Sequence, residues 1–150
     1  QIETCDGDVH HEIELVLKIG DEGMPSHMAL GLDLTKRSVQ DHLKSNGLPW
    51  AEAKAFSGSA VIGDWFEYDH RAEYRLEING KEVQRGSLKE MSWTPGELID
   101  KLAHWAPITK GDLLFTGTPA GVGPLMANDT LTASLYIENK CIVSHTAQCV

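Results

Sequence analysis

Hydrophobic and polar positions alternate between residues 9 and 19, where Ile13, Leu15, Leu17 and Ile19 interleave with Glu12, Glu14, Val16 and Lys18. A period of two sends successive side chains to opposite faces, so this stretch predicts a half-buried strand. The turn-rich residues 20–25 end it, and residues 28–34 predict a second short strand carrying Asp33 near its end. Residues 35–45 change period: Val39 and Leu43 are spaced i, i+4, Thr35 or Ser38 marks a helix start, and Gly47 lies just past the end. Tyr74, Leu76 and Ile78 alternate into Asn79-Gly80, which predicts a type I′ hairpin returning through residues 81–84. Thr94-Pro95-Gly96-Glu97 predicts a helix start with an N-cap threonine, proline at the first helical position and a capping-box glutamate. Leu98, Ile99 and Leu102 give that helix its apolar face. Residues 113–116 predict a short buried strand before a glycine-rich loop over 117–123. Leu131, Ala133, Leu135 and Ile137 alternate, turn at 138–140 and return through Cys141 and Val143. Strands outnumber helices, which predicts an α+β fold with a dominant, mixed sheet.

Composition narrows the function classes. A chain of 150 residues suits one domain with a sizeable core. The formal charge of −9, spread along the whole length, disfavours nucleic acid and anionic membrane surfaces as partners. No apolar run approaches the roughly 18 residues needed to span a bilayer, and Gln1 does not open a basic-then-apolar signal segment. The three cysteines, Cys5, Cys141 and Cys149, form no CxxC pair. They read as idle thiols of a cytoplasmic protein, with a Cys5–Cys149 bridge between the chain ends as the alternative.

The candidate chemistry lies in carboxylates. Glu12 and Glu14 are two apart on a strand and share a face, so each raises the other's pKa unless a cation sits between them. Oxygen-only ligands suit Mg²⁺ or Mn²⁺, with Ca²⁺ as a further possibility, rather than Zn²⁺. Glu-x-Glu alone also marks many solvated strand faces. Asp33 closes an apolar strand before a helix, where it either joins the pair or caps the helix. His10 and His11 suggest zinc, but His11-Glu12-Ile13-Glu14 is followed by Leu15, so no His-Glu-x-x-His motif exists and both histidines read as structural. The loop over 117–123 lacks a following Gly-Lys-Ser/Thr and reads as a substrate-facing turn rather than a phosphate loop.

Four segments together resemble the fumarylacetoacetate hydrolase family. His10-His11-Glu12-Ile13-Glu14-Leu15 resembles its metal-binding strand, and Gly31 to Gln40 (GLDLTKRSVQ) resembles the motif that supplies a third carboxylate. Gly47-Leu48-Pro49-Trp50, with Ala53-Lys54-Ala55-Phe56, is similar to the segment that brings a lysine to the metal. Gly111-Asp112 and Thr116 to Pro124 (TGTPAGVGP) are similar to the C-terminal substrate loop. The resemblance implies a mixed β-roll, usually a homodimer, with Mg²⁺ or Mn²⁺ held by Glu12, Glu14 and Asp33. It implies a small 2-oxo acid or β-diketo acid substrate, Lys54 as a catalytic cation, and Arg37, Gln40 and Thr118 as residues that meet the substrate or order the site. The reactions implied are C–C bond hydrolysis of acylpyruvates or, alternatively, decarboxylation or isomerisation of 2-oxo acids.

The sequence also departs from that pattern. It begins just before the metal-binding strand, without the lid segment whose histidine and glutamate activate water in relatives. The connection over 20–27 is shorter than usual, Ser38 stands where aspartate is common, and residues 66–71 are abbreviated. Two expectations follow: a remnant of a longer enzyme with mobile lid and loops omitted, or a lidless protein that binds metal and ligand without efficient catalysis.

Overall fold

The computed structural model describes residues 1–3 and 6–150, so the Cys5–Cys149 pairing lies outside the described residues. The predicted strand over 9–19 is two strands. β1 (Asp6–His11) ends one residue before Glu12, and β2 (Ile13–Ile19) begins one residue after it. A tight turn returns the chain as β3 (Pro25–Asp33), closed by an amide bond from Gly20 to the Met24 carbonyl of 2.8 Å. A two-residue strand, β4 (Thr35–Lys36), leads into α1 (Arg37–Ser45). β5 (Ala60–Ile62) and β6 (Phe66–Glu67) are short and both pair with β3. The hairpin β7 (Ala72–Ile78) and β8 (Lys81–Ser87) follows, then α2 (Pro95–Ala103), β9 (Leu113–Phe115) and β10 (Gly123–Met126). A final hairpin, β11 (Thr130–Ile137) and β12 (Lys140–Gln148), completes the chain.

The strands form three curled sheets in the orders β10-β1-β4, β12-β11-β7-β8 and β5-β3-β2-β9. Their ladders are antiparallel, and an isolated bridge between Ile2 and Cys149 is parallel. The architecture is therefore α+β and strand-dominated, as the alternation predicts. Both hairpin turns follow from local chemistry: Asn79 and Gly80 take φ of 52° and 77°, and Glu138 and Asn139 take 50° and 66°, the paired left-handed conformations of a type I′ turn. Thr94 and Glu97 form the expected capping box at α2.

Two expectations change. β2 is buried on both faces rather than half-buried: the β7–β12 sheet contributes Leu76, Leu131 and Leu135 to the core that holds Ile13, Leu15 and Leu17, and Glu14 and Val16 on the opposite face are buried as well. Neither Thr35 nor Ser38 caps α1 with its side chain; the Asp8 carboxylate of β1 accepts from the Ser38 amide at 2.9 Å instead. Thr35 is thereby free to turn inward. Gly31 faces Glu14 directly across the β2–β3 ladder, and a Cβ there would collide with Val16, so only glycine lets the strands pack at this level. No helix among the described residues is long and apolar enough to cross a membrane.

Candidate functional site

The break between β1 and β2 places Glu12 at the seam between two sheets. Its carbonyl accepts from the Asp33 amide at 2.9 Å, which pins the end of β3 beside the seam. Carboxylate oxygens of Glu12, Glu14 and Asp33 lie within 4.8 Å of one another. Lys54, just past a 3₁₀ turn at Ala51–Ala53, donates from Nζ to Glu12 Oε2 and to Asp33 Oδ2, each at 2.8 Å. Arg37, the first residue of α1, donates to Glu12 Oε1 at 2.6 Å and to Gln40 Oε1 at 2.7 Å. Thr35 adds a bond to Glu12 Oε1 at 3.1 Å. Asp33 therefore pairs with a lysine across the site, and the alternative that it caps α1 does not hold.

The two glutamates titrate in opposite senses. Burial works to raise the Glu12 carboxyl, but the hydrogen bonds from Lys54 and Arg37 outweigh it and hold its pKa below the ordinary range. Burial pushes Glu14 up to about 7; the Gly117 amide, 2.7 Å from Glu14 Oε2, opposes this, while the charges of Asp33 and Glu12 add to it. Lys54 is shifted upward: burial acts to lower it, and its bonds to Asp33 and Glu12 prevail. A buried carboxyl that shares its site with two others, and has no cation within ion-pairing distance among the described residues, accommodates a further positive charge. With oxygen donors only, the set fits a hard divalent cation.

Thr118 behaves differently from the other expected residues. Its hydroxyl donates to the Ile13 carbonyl at 2.8 Å and accepts from Gln84 Nε2 at 2.8 Å, so it fastens the loop to β2. Gln84 is the residue the sequence reading missed. Fully buried on β8, it accepts from the Ile13 amide at 3.1 Å, meets His11 Nδ1 at 2.8 Å and donates to the Pro119 carbonyl at 2.9 Å. No local signal pointed to it: the register of the Asn79-Gly80 turn alone would set Gln84 opposite Arg75, and a bulge between Leu76 and Glu77 shifts it opposite Leu76, onto the core face of the hairpin. An amide at a core position asks for partners. Gly121, at φ 104°, packs so tightly on the Val83 carbonyl that no side chain fits. His10 and His11 stay structural: the first accepts a long bond of 3.4 Å from Arg37 Nε, and burial holds both below the ordinary histidine pKa.

Residues 1–147 match the family model described as the fumarylacetoacetate hydrolase C-terminal domain. Oxaloacetate tautomerase of Escherichia coli is 35% identical, with 85% of this chain and 66% of that protein covered. The mitochondrial oxaloacetate tautomerase of Bos taurus is 32% identical, covering 85% of this chain. This chain spans 65% of the length of the bovine protein. The crystal structure of fumarylpyruvate hydrolase from Pseudomonas aeruginosa, in complex with Mn²⁺ and pyruvate, superposes with a TM-score of 0.89 at 28% identity, covering 100% of this chain and 70% of that one. Matched by that family model over residues 1–147, the chain belongs to the fumarylacetoacetate hydrolase family.

Proposed function

We propose that the protein is a divalent-metal-dependent enzyme that cleaves a C–C bond in acylpyruvate-like 2-oxo acids. The observation that carries this reading is the convergence of Glu12, Glu14 and Asp33 within 4.8 Å, with Lys54 bridging two of them. Glu12, Glu14 and Asp33 would hold Mg²⁺ or Mn²⁺, which when bound supplies Lewis acidity toward the 2-oxo and carboxylate oxygens of the substrate. The solved Mn²⁺ and pyruvate complex of the Pseudomonas relative supports that ligand chemistry.

Hydrolysis adds water to the acyl carbonyl and breaks the bond to C3 of the pyruvate unit. The bonding pair passes into pyruvate enolate, which then takes up a proton at C3. Lys54, charged and held between two carboxylates, puts an ammonium beside the developing enolate oxygen. Arg37 orients Glu12 and Gln40 together, so the cation-facing carboxylate does not rotate away. Thr118 and Gln84 hold the Gly117 amide against Glu14.

Keto–enol tautomerisation of oxaloacetate is the second reading, favoured by the names of the bovine and Escherichia coli relatives. It uses the same enolate stabilisation without an attacking water. Incubating the protein with Mn²⁺ and acetylpyruvate, and measuring acetate and pyruvate released, separates the two. Release of both products supports hydrolysis. Faster enol–keto exchange of oxaloacetate with no product from acetylpyruvate replaces hydrolysis by tautomerisation.

A further inference from the structure

A cavity of about 370 Å³ is lined in part by Thr116, Gly117 and Thr118, the loop that meets Glu14. Gly117 is common to the cavity and the carboxylate site: its amide meets Glu14 and its backbone lines the cavity. Tyr74, in the cavity floor, feels the Glu14 charge, and burial with that charge pushes its hydroxyl up to about 12. The cavity therefore adjoins the candidate site at Gly117.

Its walls are chiefly apolar and aromatic. Tyr74, Met91, Trp93, Leu98 and Pro119 all line the cavity. The Lys101 ammonium lies over the Trp93 ring, 3.6 Å from its centroid, and a capping box holds the backbone from the next residue. Two charged groups sit at the rim, and neither favours a second carboxylate. Arg85 is engaged by Glu82 through two bonds of 3.0 and 2.7 Å. Glu90 accepts from the Ser87 hydroxyl at 3.0 Å and has no cation within ion-pairing distance among the described residues. A dry cavity of about 150 Å³ already holds a benzene ring, so the space exceeds what an acetyl group needs.

We propose that this cavity is the acyl-tail subsite and that Trp93 selects substrates whose tail is an uncharged aromatic or large apolar group. The assignment rests on the 2-oxo acid reading above and names the substrate class within it. An aryl tail stacks on the Trp93 ring, whereas a tail ending in a carboxylate meets the negative field of Glu90.

The test compares kcat/KM for benzoylpyruvate and acetylpyruvate in the presence of Mn²⁺. The wild type favours benzoylpyruvate, Trp93→Ala lowers the benzoyl-to-acetyl ratio about tenfold, mainly through KM, and Trp93→Phe restores most of it. A ratio unmoved by Trp93→Ala, in a variant that melts like the wild type, overturns the assignment. Turnover of neither compound would defeat the functional reading instead. The cavity is then judged by calorimetric binding of benzoylpyruvate to the Mn²⁺-loaded protein. About tenfold weaker binding by Trp93→Ala upholds the subsite, and equal binding rejects it.

Discussion

Two places in the molecule use the same small device, one cation between two carboxylates. At the seam, Lys54 joins Glu12 to Asp33. At the surface, Arg71 joins Asp69 to Glu138, with bonds of 2.6 Å to each. Their ion-pair geometries are alike. They differ in what surrounds them: the seam carries a third carboxylate, Glu14, whose residue is 3% exposed, whereas Glu138 has a side chain 68% exposed. Water satisfies the surface group whether or not it is paired, and such pairs contribute little. The buried group has no such water and holds a proton more readily, which leaves it able to take either a proton or a cation.

That contrast can be broken most severely at Lys54. Lys54→Met is expected to lower kcat on the preferred 2-oxo acid by about 10²–10³-fold, measured with saturating Mn²⁺; a variant near wild-type rate would show the ammonium to be a bystander. Next comes Glu14→Ala. In wild type, metal at about a hundred times its Kd should stabilise the fold by roughly 2.7 kcal/mol, read as a rise in melting temperature. The variant should lose that response, and an unchanged metal response would reject Glu14 as a ligand.

Gln84→Leu sharpens the comparison from the side of the scaffold. It strands the Ile13 amide, a buried donor, and releases the Thr118 hydroxyl and Pro119 carbonyl. The expected loss is about 2 kcal/mol in urea denaturation, and an undiminished midpoint would mean the loop is held by other contacts.

The smallest effect belongs to the surface pair. Hydrogen bonds from Arg71 hold Asp69 at about 2, below its unfolded value of about 3.9. A depressed carboxyl contributes stability that is present above the unfolded pKa and lost as pH falls through the folded one. Asp69→Asn should therefore melt slightly lower than wild type at pH 7, with the gap closing between about pH 4 and pH 2. A gap that persists at pH 2 would assign it to something other than the ion pair.

Local chemistry was legible wherever a few adjacent residues decide the outcome. The Asn79-Gly80 turn and the Thr94 capping box needed no tertiary information, and both stand. Glu12, Glu14, Asp33, Arg37, Gln40 and Lys54 come together, although periodicity alone left Glu12 and Glu14 as a possible solvated face. What could not be read was long-range. Asp8 replaces the local cap of α1 from thirty residues away, and the split of one alternating stretch at Glu12 depends on β4 and β10 pairing with β1 but not β2. Burial of both faces of β2 likewise depends on partners that arrive much later in the chain.

The tight crossing at Gly31 separates the demands of folding from those of chemistry. A side chain at position 31 strikes Val16 whatever Glu14 does opposite it. A descendant that abandoned the reaction would therefore still be obliged to keep Gly31, yet would be released to replace Glu14. On the proposed metal-holding role of Glu14, position 31 thus reports across a collection of relatives whether the fold has been inherited, and position 14 whether the metal site has been kept.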